Sequence, residues 1–551
     1  MNNNTLSAKL FYLLLIIGVE LNATGLLSDI MEPDGALYAS IAKHITLKND
    51  WINLIGDGHD WLDKPHFPFW MAALSFKLFG INSFAYKLPA FLFWLAGVYY
   101  TFQLSRIIYN TNVARVATLV YITAAHAVIC NFDVRAEPYL TTLTLAGIYY
   151  FYKALGEKWF LNITAGAFFT ACAVMTKGLF ILITIGSGFF CYWFFTRQWK
   201  QLLHIKWLIA IAFIFIFILP ELYCLYVQFD LHPEKIVFGK TNVSGLKFFF
   251  WDSQFGRFFN TGPIKGSGDP FFFLHTILWA FLPWSILLYV GIVYLIKHRK
   301  DARAKAWIIY GSALISFLLF SFSSFQLPHY IVIVFPQFAM IVAAYLLSLK
   351  LPQSLRKMNL LLTVLLGILA VLLVGLSFIY QLPFPWMIST LILLATIACI
   401  FLIKQRSVKD ILIKAIVFAS LLHLFLNLLF YPSILKYQSG MQAARWLAST
   451  HNTGRLAMYK DFSYSLEFYA PQTVSWLHDE EELGQYLKEH KPGMLYVSER
   501  QIDAIRQMRY RITIAQSFDY FPVSRLDGSF INADTRKNTL TKMLLINLED
   551  R

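Results

Sequence analysis

The residues of this 551-residue chain with chemistry to offer border apolar runs. Asp34 follows Pro33 and precedes Leu37, Ile41 and Ile45 at helical spacing. A carboxylate there either caps an amphipathic helix or serves as a general base at a surface. In Asp63-Lys64-Pro65-His66, Pro65 fixes a turn. Lys64 either snorkels with Asp63 as its pair or contacts phosphate, with Asp63 as metal ligand or pair-former. Glu137-Pro138 opens an apolar run just after Asp133 and Arg135. An acid beside Pro is ordinary helix-start chemistry, yet three charges at a membrane edge usually face a cavity. Lys177, in Met-Thr-Lys-Gly, lies between two apolar runs as an interfacial anchor or an anion ligand. Arg257 lies in an aromatic stretch, where a guanidinium suits a lipid headgroup or bidentate phosphate recognition. Pro328-His329-Tyr330 opens a further run, and a lone His is more often structural. Glu20, inside the first run, is unusual in a membrane helix.

The elements that must position these groups are hydrophobic. The chain is 57% hydrophobic, 17% aromatic and 14% charged, with mean hydropathy +0.54, against roughly 25% charged in soluble domains. Most of it is therefore solvated by lipid. The net charge of +15 would suggest nucleic acid in a soluble protein. Here the basic residues concentrate in short connectors, as the positive-inside rule expects, and no nucleic-acid partner is read. Five cysteines, all in apolar runs, have neither metal nor disulfide spacing.

Thirteen apolar runs between residues 8 and 431 are long enough to be read as spans. The first, 8–27, reads as a retained helix rather than a cleaved leader. With a cytoplasmic N-terminus, every inside connector is basic: Arg106/Arg115, Lys153/Lys158, Arg197/Lys200/Lys206, Lys297 to Lys305, Lys350 to Lys357 and Lys404 to Lys414. This requires 66–79 to lie at the outer interface. Outside then fall an acidic loop over 28–66, an aromatic loop over 228–270 with an interfacial helix near 251–259, and everything after 432. The tail alternates strands (455–460, 472–477, 493–498, 509–517, 541–547) with helices (478–490, 498–508), which suggests an α/β domain. The expected fold is thus an all-α polytopic membrane bundle over 1–432, with outer loops 28–83 and 228–270, plus a small α/β domain over 433–551. Three acidic sites and three or four cations map to one membrane side, as a cavity for an anionic, lipid-tethered substrate would need.

Several phrases carry a family resemblance: Asp34-Gly-Ala-Leu-Tyr38, Asp63-Lys64-Pro65-His66-Phe-Pro-Phe-Trp70, Glu137-Pro138, Met175-Thr-Lys177-Gly, Gly256-Arg257-Phe-Phe, Phe281-Leu-Pro-Trp284-Ser and Leu327-Pro-His329-Tyr330. In this order they resemble the GT-C class of membrane glycosyltransferases, specifically the protein O-mannosyltransferase and aminoarabinose-transferase (ArnT-like) families. The resemblance implies a polyprenyl-phosphate sugar donor and a lipid A-type or protein-hydroxyl acceptor on the periplasmic face of the cytoplasmic membrane. It implies Asp34 as catalytic aspartate, Glu137 as a second acid where aspartate is usual, and Asp63-Lys64 as an acid–lysine pair. Lys177, Arg257, His329 and Tyr330 fall where donor-phosphate contacts are expected. Gln326 stands where relatives often carry Lys. No cofactor is required by this reading; a divalent metal on the carboxylates, Asp63 included, is one way to stabilise the leaving phosphate. The alternatives are a multi-pass transporter or flippase of an anionic lipid, which predicts internal repeats not found here, and a ligase or oligosaccharyltransferase moving whole glycans.

Overall fold

The computed structural model describes residues 6–298, 303–349, 351–403, 407–452, 454–489, 493–507 and 510–550. The connector residues Arg299, Lys300, Lys350, Lys404 and Arg406, and positions 490, 508 and 509 at the ends of tail elements, lie outside them.

Helix α1 (Ala8–Ala23) starts where the Ser7 side chain accepts from the Leu10 N–H, and ends in a 3₁₀ turn over Thr24–Leu27. There follow α2 (Asp34–Lys48), α3 (Phe67–Phe79), α4 (Ser83–Ile108), α5 (Thr111–Ile122), α6 (Ala125–Phe132), α7 (Glu137–Lys153), α8 (Trp159–Lys177) and α9 (Phe180–Phe195). Further helices continue to residue 434. Many of their apolar side chains stay exposed, among them Leu208, Val371, Leu372 and Phe401, a surface suited to hydrocarbon rather than water.

The count of thirteen spans is not reproduced. Among the described residues eight helices are long and apolar enough to cross a membrane, or nine if one bent pair counts as a single span. Broken and polar helices account for the difference. The run read as 114–131 is two helices, α5 and α6, bent by 54°. α4 spans 26 residues but buries Lys87. α9 has only 16 residues, and the helix Ser285–Lys297 only 13. The stretch expected at the interface is α3, 13 residues long, with Phe67, Phe69, Ala73 and Phe76 buried.

α7 and α8 pack side by side, with Lys153 and Lys158 at one end and Glu137 and Lys177 at the other. The basic connectors meet at the first end. There Arg115 donates to the Leu6 carbonyl at 2.7 Å, Arg303 donates to the Tyr109 carbonyl, and Lys206 donates to the Ala154 carbonyl at 3.4 Å. The acidic segments occupy the opposite end.

The tail adds a mixed sheet. Strands β1 (Ile55–Gly56) and β2 (His59–Asp60) form a small separate ribbon; β3 (Leu456–Tyr459), β4 (Val474–Leu477), β5 (Gly493–Ser498), β6 (Tyr510–Tyr520) and β7 (Thr541–Asp550) form the sheet, in order β4-β3-β5-β7-β6. β3 is parallel to β4 and β5, and β7 is antiparallel to β5 and β6. Alternation splits the strands between two cores. Ala457, Leu495 and Ile546 pack with Leu483, Leu487 and Ile505, while Met458, Met494 and Leu545 pack with Ala443, Ala444 and Leu447. The five strands lie within a few residues of their expected spans. The helices Ser439–Ser449 and Tyr464–Tyr469 were not anticipated.

Candidate active site

Each charged group is placed by a helix end. Asp34 is the first residue of α2, and its carboxylate pairs with Arg135 rather than with the helix amides. Glu137 opens α7 with Pro138 behind it, a position where the missing N–H of proline costs nothing. α8 stops at Lys177 because Gly178 takes φ +115°, open to glycine but strained for other residues. A Cβ there would also lie 2.1 Å from the Gln254 side chain. Gln254 belongs to a π-helical segment, Phe248–Gly256, that leads directly into Arg257. The break between α8 and α9 thus docks the second outer loop and delivers Arg257 to the site.

Two buried contacts fasten that region to the first loop. The Gln228 amide donates to the Leu54 carbonyl and to Asp60, both at 2.8 Å, and accepts from the Leu54 N–H at 3.0 Å. The His66 ring pairs with Glu221 at 3.0 Å through Nδ1 and with the Ile52 carbonyl at 2.9 Å through Nε2. Both ring nitrogens face acceptors, so the imidazolium satisfies both. Burial alone would lower the His66 pKa, but Glu221 outweighs it and the pKa is raised.

All eight expected residues line one cavity of about 190 Å³. Lys64 donates to Asp63 at 2.8 Å. Arg257 pairs with the other Asp63 oxygen and donates to the Asp63 carbonyl at 3.2 Å. Lys177 pairs with Glu137, which is 1% exposed, and lies 3.7 Å from the Tyr330 ring centroid. The His329 ring packs edge-on against Tyr330. Arg135 bridges Asp34 and Asp133. Burial would raise the Asp63 carboxyl, but Lys64 and Arg257 hold it down to about 2. Burial pulls the Lys64 ammonium below its ordinary value despite Asp63 beside it. Lys64, Lys177 and Arg257 outnumber their partners Asp63 and Glu137 by one, while Arg135 is held between Asp34 and Asp133. The excess positive charge, held where water is scarce, favours an anion.

A second, mostly apolar cavity of about 310 Å³ adjoins the first and shares Lys177, Arg257, Phe325 and Tyr330 with it. Leu179, Phe180, Ile183 and Leu319 are among its walls. The two together form a charged chamber opening onto a greasy groove.

The possible metal role of Asp63 meets no ready ligand set among the described residues. Both its oxygens already face cations, and among the described residues no three His, Cys, Asp or Glu side chains gather as metal ligands. The donor set does not fit a divalent ion. Gln326 has a framework role: its amide donates to the Phe320 and Ser321 carbonyls at 3.1 and 2.9 Å and accepts from the Asp269 N–H at 2.9 Å. Glu20 is exposed on α1, apart from the cavity. Sequence reasoning left out Arg135 as a direct partner of Asp34, Tyr38 as a cavity wall, and the Gln254, Glu221 and Gln228 supports. Arg135 had a signal, the Asp-x-Arg-x-Glu spacing before α7. Glu221 had one too, a lone acid in an apolar helix.

Comparison with known proteins follows this geometry. The dolichyl-phosphate-mannose-protein mannosyltransferase family matches residues 63–224. The undecaprenyl phosphate-α-4-amino-4-deoxy-L-arabinose arabinosyl transferase of Edwardsiella ictaluri is 26% identical over 321 residues, which cover 57% of this chain and 55% of that protein. An uncharacterised protein of Aquifex aeolicus is 25% identical over 335 residues, 59% of this chain and 61% of its own. The match thus spans little more than half the length of these relatives. The crystal structure of ArnT from Cupriavidus metallidurans bound to undecaprenyl phosphate superposes with a TM-score of 0.74, at 17% identity, over 98% of this chain and 97% of that one. In fold this chain is similar to ArnT, and in sequence to undecaprenyl phosphate-α-4-amino-4-deoxy-L-arabinose arabinosyl transferases and, over residues 63–224, to the dolichyl-phosphate-mannose-protein mannosyltransferase family.

Proposed function

We propose that this protein moves a sugar from a polyprenyl-phosphate donor to an acceptor at the periplasmic face of the cytoplasmic membrane. The observation that carries the reading is the joining of the charged chamber to the apolar groove through Lys177, Arg257, Phe325 and Tyr330. A lipid phosphate needs both environments side by side. The groove takes the first isoprene units, and Lys64, Lys177 and Arg257 face the phosphate. The acceptor oxygen attacks the anomeric carbon from the face opposite the phosphate. The C–O bond to phosphate breaks, its electron pair leaves as polyprenyl phosphate, and the anomeric configuration inverts. The cations stabilise the charge that grows on the leaving group. Asp34 accepts the hydroxyl proton of a neutral acceptor; for a phosphate acceptor it orients rather than deprotonates. Glu137 sets Lys177 in place.

The basic connectors share one end of the bundle with Leu6, and under the positive-inside rule that end is cytoplasmic. The chamber and residues 433–551 then face the periplasm. The transporter alternative gains nothing from the site, whose charges gather at helix ends rather than at mid-membrane. The test is transfer in detergent from undecaprenyl phosphate-α-4-amino-4-deoxy-L-arabinose to lipid A, with Asp34→Asn alongside. Wild-type transfer and a loss in the variant are expected. Full activity of Asp34→Asn removes it as base, and no transfer from any polyprenyl-phosphate sugar overturns the reading.

A further inference from the structure

A second set of contacts holds the segment carrying Asp34, and none of its members lines the chamber. The Glu32 carboxylate accepts from Ser463 Oγ at 2.6 Å and from the Ser465 N–H at 2.5 Å. These groups belong to the amino end of the helix Tyr464–Tyr469. Further along the same segment, on α2, Lys43 Nζ donates to the carbonyls of Glu467, Phe468 and Ala470 at 2.8, 3.0 and 2.9 Å. These are at the carboxyl end of that helix. One short helix of the tail is therefore gripped at its positive end by a carboxylate and at its negative end by an ammonium. Gln438 adds a third tie. Its Oε1 accepts from the Glu32 N–H and its Nε2 donates to the Ile30 carbonyl, both at 2.9 Å.

We propose that the C-terminal unit positions the reaction centre from outside it: through Glu32 and Lys43, the helix Tyr464–Tyr469 sets the position of Asp34. The activity side of this inference rests on the function proposed above. Asp34 lies two residues beyond Glu32, and its ion pair with Arg135 is partly exposed (38% and 22%). Such a pair fixes charge better than geometry. The buried ties fix geometry, and a displacement of about 1 Å at a reacting group costs about 100-fold in rate. Glu32 and Lys43 are positioning residues; neither reaches the chamber.

The test uses the full-length protein in detergent, with Glu32→Ala, Glu32→Gln and Lys43→Met. Three quantities are read: hydrogen exchange of the α2 amides, binding of undecaprenyl phosphate, and its release from undecaprenyl phosphate-α-4-amino-4-deoxy-L-arabinose during transfer to lipid A. In Glu32→Ala and Lys43→Met, α2 exchange rises at least about tenfold and turnover falls about tenfold, the scale of a lost charged hydrogen bond, while undecaprenyl phosphate binding is kept. Glu32→Gln, which keeps an acceptor oxygen, recovers part of both. In an Asp34→Asn background, Glu32→Ala removes nothing further. The inference is overturned by unchanged α2 exchange, by loss of lipid-phosphate binding together with turnover, or by an equal loss with and without Asp34. If the wild-type protein fails to turn over the donor, the proposed reaction is at fault, and the exchange measurement alone decides the positioning.

Discussion

Removing the ammonium of Lys177 separates the structural from the chemical role of the Glu137–Lys177 pair. Glu137 is 1% exposed and Lys177 10%. Lys177→Met leaves a buried carboxylate without its counter-charge, a change that costs about 3–5 kcal/mol. Adding Glu137→Leu removes the orphaned charge, and most of that stability returns, because an apolar pair of similar volume replaces a buried ion pair at little cost. Turnover does not return. Under the proposed reaction Lys177 faces the donor phosphate, and losing one pre-organised donor to developing charge costs about 10²–10³ in rate. Thermal unfolding in detergent and release of undecaprenyl phosphate from its aminoarabinose conjugate measure the two effects on the same samples. The reasoning is refuted if the double variant is no more stable than Lys177→Met. It is also refuted if the double variant regains turnover, since the pair would then be framework alone.

The Asp63 carboxyl is held down to about 2 from 3.8; its contribution, about 2 kcal/mol, is present above pH 4 and fades as the pH falls towards 2. Asp63→Asn should abolish that acid-side dependence in an unfolding titration. His66 has a raised pKa, so its pairing with Glu221 contributes fully below the ordinary histidine range and is lost as pH rises through the raised value. Unfolding temperature should fall with rising pH in the wild-type protein, and Glu221→Gln with His66→Gln should flatten the curve. Gly178→Ala meets both a positive φ and the Gln254 side chain, and a loss of about 1–3 kcal/mol is expected, partly relieved by Gln254→Ala in the same unfolding assay. Ile183→Trp narrows the apolar groove and should raise KM for a long-chain donor with little change in kcat, which steady-state kinetics with donors of two chain lengths will show.

The tail strands were legible as short apolar runs bounded by polar turn residues and separated by helical stretches. Leu456 and Met458 face one core, Ala457 and Tyr459 the other. The count of spans was not legible, because hydropathy does not see a 54° bend between α5 and α6 or a buried Lys87 satisfied by the carbonyls of Gly25, Ser28 and Asp29. The types of the site residues were visible at helix ends, where charges are costly unless they have work. Their pairings were not. Lys64 finds Asp63 next door, but Arg257 reaches Asp63 across 194 positions and Lys177 reaches Glu137 across 40.

Composition and the order of a few short phrases decided that this chain is a lipid-solvated bundle with an α/β tail, and which side chains carry charge at its acidic end. Both are local properties, set by transfer free energy and by spacing along one element. Which carboxylate neutralises which cation, that Asp63 lies between Lys64 and Arg257, and that residues 463–470 grip the helix bearing Asp34 were decided only by tertiary structure. Those contacts join segments dozens to hundreds of residues apart, and Coulomb attraction depends on distance in space rather than along the chain.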